Sequence, residues 1–151
     1  MRVVVTGASG NVGTALLRHL QEFRPEWSLV GICRRTPEPG EPAYDRVTWV
    51  EVDLSEPACE PTLLSTCAGA DAVVHLAWLI QPARDQALLE RTNVVGTGRV
   101  FDAAVAAGVG HVVHMSSVGA YSRGPKDREV AESWPTDGVA SATSRSLGPR
   151  L

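Results

Sequence analysis

Lysine is almost missing from this 151-residue chain, Lys126 being the single one, and no Gly-Lys-Ser/Thr stands anywhere to form a P-loop. Cysteine is sparse: Cys33, Cys59 and Cys67 are odd in number and lack CxxC spacing. That excludes a disulfide framework and a zinc ribbon and leaves reduced, mostly structural thiols. There is no excess of positive charge. A net charge of −3 and a pI near 5.8 give no footprint for nucleic acid or an anionic membrane. No apolar run reaches membrane-spanning length, and the N-terminus is apolar for only Val3-Val4-Val5 before Thr6 and Gly7. A signal peptide is therefore not expected, and a cytoplasmic location follows by default. His19, His75, His111 and His114 have no metal-ligand spacing, so no metal site is expected and each reads as a packing histidine. What remains is ordinary globular composition, 44 % hydrophobic and 21 % charged. A chain of this length makes one domain that buries roughly two thirds of its unfolded surface.

The most informative stretch is Val3 through Thr14, a β-branched run that stops at Gly7, Gly10 and Gly13 and then becomes amphipathic. An unbroken apolar run predicts a central strand over residues 2–5, covered on both faces. Val12, Ala15, Leu16, Leu20 and Phe23 fall on one stripe, which predicts a helix over 11–23 capped by Asn11 and ended by Pro25. Between them, Gly7 permits a tight turn, Gly10 lets backbone approach a phosphate, and Gly13 lets the helix pack on the strand. The N–H groups of Asn11 and Val12, at the positive end of the helix dipole, would meet a pyrophosphate.

Farther on, Ser28 to Cys33 predicts a second strand, and the proline-rich 36–42 segment predicts a crossover that is mostly loop. Val47 to Val52 predicts a third strand, followed by a short helix beginning at Ser55 or Glu60-Pro61 and ended by Gly69. Residues 71–77 give a fourth strand with its exit loop. Pro82 to Ala107 then carries one long helical pattern stopped by Gly108, with Gly96 and Gly98 suggesting close packing on the sheet. Gly110 to Met115 gives a fifth strand. Beyond Tyr121 the character changes to charge and low complexity, and no sixth strand, repeat or second domain is visible. The expected organisation is a binding domain over 1–138 and a divergent tail over 139–151.

Several residues sit where chemistry is expected. Where a carboxylate would accept from an adenosine ribose stands Cys33, followed by Arg34 and Arg35, whose guanidinium groups favour a 2′-phosphate. NADP is thus expected ahead of NAD, although the arginines also suit a solvated loop. Asp53 is either an acceptor for the adenine amino group or a helix-capping aspartate before Ser55. Ala77 would let the chain pass close to a ribose, and Trp78 either walls the pocket or is simply buried.

Taken together, Thr6-Gly7-Ala8-Ser9-Gly10-Asn11-Val12-Gly13, Asp53-Leu54, His75-Leu76-Ala77, Asn93-Val94-Val95-Gly96-Thr97 and Met115-Ser116-Ser117-Val118-Gly119-Ala120-Tyr121 resemble the extended short-chain dehydrogenase/reductase family, the NAD(P)-dependent epimerase/dehydratase group. The resemblance runs to about residue 138. It implies that Asp53 and Leu54 flank the adenine, that Leu76, Ala77 and Trp78 line the ribose, and that Asn93 organises the site. It also implies that Ser117 hydrogen-bonds the substrate oxygen, with Ser116 beside it among the cofactor-binding residues. The implied fold is a Rossmann-type doubly wound parallel sheet in three layers, strand order 3-2-1-4-5, stopping before the family's later strands.

One departure matters. The family's proton donor is a tyrosine followed four residues later by a lysine that lowers its pKa; the matching positions here hold Thr143 and Leu147. Threonine is far too weak an acid, leucine carries no charge, and Tyr121 has no lysine four residues on. The expectation is a dinucleotide-binding domain without turnover, the closing Ser-Arg-Ser-Leu-Gly-Pro-Arg-Leu suiting a frameshift or altered gene end. The alternative is an active oxidoreductase or epimerase on a sugar nucleotide or small carbonyl, with Ser117 positioning substrate. The resemblance leaves oligomeric state open, since family homo-oligomers pair through the helix carrying the asparagine and the helix carrying the tyrosine.

Overall fold

The hydrophobic run Val3-Val4-Val5 is divided between two cores by the pleat of its strand. In the computed structural model, which describes residues 1–79 and 85–138, β1 (Arg2–Thr6) turns Val4 into one core with Val30, Val73, Leu63 and Val100. Val3 and Val5 enter the other, with Ala8, Leu17 and Leu29. A strand buried on both faces needs apolar residues at every position, which is why its sequence does not alternate.

Around β1 the sheet is built from β2 (Ser28–Cys33), β3 (Val47–Glu51), β4 (Ala72–His75) and β5 (His111–His114). All neighbours pair in parallel, and the order is β3-β2-β1-β4-β5, as the alternation of strand and helix patterns predicts. On one face lies α1 (Asn11–Phe23). The other carries α2 (Glu60–Cys67) and a long helix in three parts: α3 (Gln86–Glu90), a π turn (Arg91–Val95) and α4 (Gly96–Ala106). β5 is an edge strand, and all four of its residues are exposed.

The proline-rich crossover from β2 to β3 contains only a 3₁₀ turn, Pro42–Tyr44, strapped to α1. Tyr44 shares a hydrogen bond with Thr14 at 2.7 Å, Gln21 donates to the Ala43 carbonyl, and Arg18 meets Glu41 at 3.1 Å. Beneath the strap the Trp49 ring lies over Gly31, where a Cβ would come within 2.6 Å of it. Tyr44 packs edge-on against Trp49.

Three expectations change. Gly10, not Asn11, is the N-cap of α1, and no side chain caps it; Asn11 is the first helical residue. Gly96 packs on Leu54 rather than on the sheet, and a Cβ on Gly98 would meet nothing within 4 Å. The long helix is interrupted by the π turn, is capped at Asp85 through the Leu88 N–H, and its predicted start at Pro82 lies outside the described residues. Elsewhere the strands begin and end within a residue or two of their predicted limits.

The chain divides into two compact units, Met1–Met115 and Ser116–Leu151. In the second, a 3₁₀ turn (Val118–Ala120) follows Ser117. Ser122 ties the loop together: its N–H donates to Pro135, its hydroxyl to Asp137, and its carbonyl accepts from the Trp134 indole. Residues 139–151, with Thr143 and Leu147, lie outside the described residues.

Candidate functional site

At the carboxyl ends of β1, β2 and β4 the first unit opens into a cavity of about 210 Å³. Gly7 forms its floor. Its φ is +68°, a conformation side chains avoid, and a Cβ would stand 2.7 Å from the Ala77 nitrogen, so glycine is required twice over. The turn is held by Gly7 N–H donating to the Ile32 carbonyl at 2.9 Å and Gly10 N–H to Gly7 at 3.0 Å. At Gly13 a Cβ would lie 2.5 Å from the carbonyl oxygens of both Gly7 and Ala8, so this glycine brings α1 against the loop. Geometry leaves the first-turn N–H groups of a helix without intrahelical partners. Here neither a capping side chain nor an acidic residue competes for them, so the positive end of α1 is open to an anion.

The cavity wall draws Ser9 and Gly10 from the loop, and Ile32, Cys33 and Arg34 from the end of β2. Val52 and Leu54 follow β3; Leu76, Ala77, Trp78 and Leu79 follow β4; Thr92 comes from the π turn. Trp78 is 40 % exposed, a wall residue rather than a core one. Burial pushes the Cys33 thiol up, so it stays protonated beside the Arg35 N–H and the Ser9 hydroxyl. All three cysteines are free and buried.

Of the residues expected at a site, Gly7, Gly10, Arg34, Leu54, Leu76, Ala77 and Trp78 line this cavity, whereas Asn11, Val12, Gly13, Arg35, Asp53 and Asn93 do not. The Asp53 carboxylate accepts from the Ser55 N–H at 2.9 Å, a local turn two residues long, while the N-caps of the helical turns that follow are Glu56 and Cys59. Burial works against its charge, but the Ser55 backbone and hydroxyl and the nearby Arg34 outweigh it and hold its pKa below the usual range. Asn93, 5 % exposed, grips Leu79 from both sides: its Oδ1 accepts from the Leu79 N–H at 2.7 Å and its Nδ2 donates to the Leu79 carbonyl at 3.0 Å. Ser116 and Ser117 belong to the second unit, where the Ser117 hydroxyl accepts from the Gly119 N–H at 3.2 Å.

Ser9, Ile32, Val52, Leu79 and Thr92 are not among the expected site residues, and Cys33 is expected there only as the residue standing in place of a carboxylate. Ile32 and Cys33 close β2 and Val52 follows the end of β3, where ligands of parallel α/β sheets bind; Leu79 and Thr92 carry no local signal. Among the described residues no cluster of His, Cys, Asp or Glu could hold a metal ion, and no helix is long and apolar enough to cross a membrane.

A family model described as "NAD dependent epimerase/dehydratase family" matches residues 3–142. The chain belongs to that family. Similar members include an NAD-dependent glucose-6-phosphate dehydrogenase of Haloferax volcanii, 36 % identical over 122 residues, covering 79 % of this chain and 45 % of that one. A dTDP-glucose 4,6-dehydratase of Streptomyces antibioticus is 32 % identical over 133 residues, covering 78 % of this chain and 37 % of its own length. Among solved structures, a short-chain dehydrogenase/reductase superfamily protein of Agrobacterium tumefaciens with bound NAD superposes with TM-score 0.73 at 30 % identity, over 90 % of this chain and 39 % of that one. The UDP-glucose 4-epimerase of Thermus thermophilus, in complex with NAD, shares the fold with TM-score 0.75 at 24 % identity, over 91 % of this chain and 45 % of that one. The chain therefore spans less than half the length of each of these proteins.

Proposed function

We propose that this family domain binds a nicotinamide dinucleotide, NADP ahead of NAD, and does not turn substrate over as the chain stands. The observation that carries the reading is the glycine turn: Gly7, at φ +68° and closed against the Ala77 backbone, folds the loop tightly beside an uncapped helix N-terminus. Gly7, Gly10, Asn11, Val12 and Gly13 would hold the pyrophosphate. Arg34, with Arg35 beside it, would take a 2′-phosphate, since the neutral Cys33 thiol stands where a carboxylate would select NAD. Leu54 would border the adenine, with Asp53 fixing its turn; Leu76, Ala77 and Trp78 would line the ribose, and Asn93 would hold their loop. When bound, the dinucleotide supplies hydride transfer at C4 of its nicotinamide; this chain's residues bind it, orient it and exclude water from the glycine floor.

The case against turnover rests on Thr143 and Leu147, which can neither donate a proton at neutral pH nor lower a neighbour's pKa. The Ser116-Ser117-Val118-Gly119-Ala120-Tyr121 motif favours a second reading, an oxidoreductase or epimerase in which Ser117 positions the substrate oxygen. A cytoplasmic setting belongs to the proposal on the strength of the sequence alone. The test is titration of the purified chain with NADPH and NADH, followed by tryptophan fluorescence. The same mixtures are then assayed with UDP-glucose, dTDP-glucose and glucose 6-phosphate. Tighter binding of NADPH with no product supports the proposal. Product formation that Ser117→Ala abolishes establishes the second reading instead, and no binding of either dinucleotide removes both.

A further inference from the structure

We infer that His75, expected to be a packing histidine, is a positioning residue that holds the cavity wall from Ala77 to Leu79 through one directed chain of hydrogen bonds. The inference rests on the reading of this cavity as a dinucleotide site. The direction of the chain follows from donor counting. Thr97 donates its only hydroxyl hydrogen to the Asn93 carbonyl at 2.7 Å, because a carbonyl can only accept. Towards His75 Nε2, at 2.8 Å, the Thr97 oxygen is therefore an acceptor, and Nε2 carries the proton. A neutral imidazole has one N–H, so Nδ1 is bare and accepts from the Thr6 hydroxyl at 2.5 Å. The Thr6 oxygen is then free to receive the Ala77 N–H at 3.3 Å.

The chain thus runs from Ala77 through Thr6, His75 and Thr97 to the Asn93 carbonyl, and the Asn93 side chain closes on both backbone groups of Leu79. Both ends of the wall segment are tied to one imidazole. The ring cannot turn away: His114 stacks on it at 5.3 Å and Phe101 packs edge-on at 6.0 Å. Thr6, His75 and Asn93 are at most 5 % exposed, so water does not replace a broken link. Burial, helped by the adjoining His114, lowers the His75 pKa to about 4, which keeps the ring neutral as the chain requires.

The decisive variant is Thr97→Val, which keeps shape but removes the acceptor, paired with Thr97→Ser, which restores it. In Thr97→Val, amide exchange at Ala77 and Leu79 should accelerate selectively, while the fully buried Val4 amide of β1 stays at the wild-type rate; Kd for NADPH should rise about tenfold. Thr97→Ser should return both readouts to wild type. Exchange at Ala77 and Leu79 that is unchanged, or that rises only in step with Val4, overturns the inference, because a merely structural role moves all slow amides together. If Thr97→Val does not fold, nitrogen NMR of the wild-type His75 ring decides: a protonated Nε2 with bare Nδ1 supports the chain, and the opposite tautomer refutes it. A wild-type protein that binds no dinucleotide sinks the proposed function, while exchange and tautomer still judge the chain of bonds.

Discussion

Gly13 and Gly98 both lie in helices, and alanine at the two should move stability in opposite directions. Helix propensity alone favours alanine over glycine by about 1 kcal/mol at either site. At Gly98 nothing lies within 4 Å of the new Cβ, so the gain is realised, and Gly98→Ala should stabilise by about 0.5–1 kcal/mol. At Gly13 the Cβ would sit 2.5 Å from two carbonyl oxygens, of Gly7 and Ala8. Those oxygens are backbone in a turn pinned to β2 through Ile32, so they cannot swing aside as a side chain would. Overpacking of this kind costs roughly 1–3 kcal/mol, which offsets the propensity gain and leaves a net loss of up to about 2 kcal/mol. Urea melts followed by far-UV circular dichroism measure both variants. With slopes of roughly 1–3 kcal/mol/M, the Gly13→Ala midpoint should fall by up to about 1 M and the Gly98→Ala midpoint should rise. A Gly13→Ala midpoint at or above wild type would refute the argument that α1 is held against the loop by the missing Cβ.

Acid should weaken the first unit through His75. Its pKa is about 4 in the fold against an ordinary 6.5, so below pH 6.5 the unfolded chain takes up a proton that the folded chain refuses. Stability is then full above pH 6.5 and falls as pH drops towards 4, by about 2 kcal/mol between pH 7.5 and 5; a flat urea midpoint across that window contradicts the burial argument. Gly31→Val should cost several kcal/mol, on the order of 3, because its Cβ alone enters the Trp49 ring; the check is a thermal melt with loss of near-UV signal. Arg34→Glu should raise Kd for NADPH about tenfold and leave NADH nearly unchanged, and equal losses for both would place Arg34 outside 2′-phosphate recognition. Asn93→Leu should expose the Leu79 backbone groups it now satisfies, costing about 1–3 kcal/mol in the same urea assay.

What could be read in advance is what local pattern controls. The limits of α1 and β2 follow from an amphipathic stripe and a β-branched run, and the strand order follows from short parallel crossovers. The π turn could not be read, because residues 91–95 keep an ordinary helical pattern. What distinguishes the turn is the grip of Asn93 on Leu79, a contact between residues fourteen apart. Gly96 and Gly98 look alike in sequence, yet only one meets Leu54. Asp53 could be narrowed to two roles in sequence; the bond from the Ser55 N–H to its carboxylate depends on the turn after β3 and has no sequence signal of its own. The role of His75 was invisible for a related reason: its partners Thr6 and Thr97 are ordinary hydroxyls, brought to its two nitrogens only when β1 and α4 meet around β4.

The strap between β2 and β3 also changes how this face of the sheet is covered. Where α/β architecture expects a helix, a tyrosine and a tryptophan act as a plug: Trp49 fills the hollow above Gly31, and Tyr44 leans on it while bonded to Thr14. A helix spreads its cover over several turns, so one substitution removes a fraction of it. A plug is all or nothing, and truncating Trp49 would open the shield over β2 and β3 in a single step.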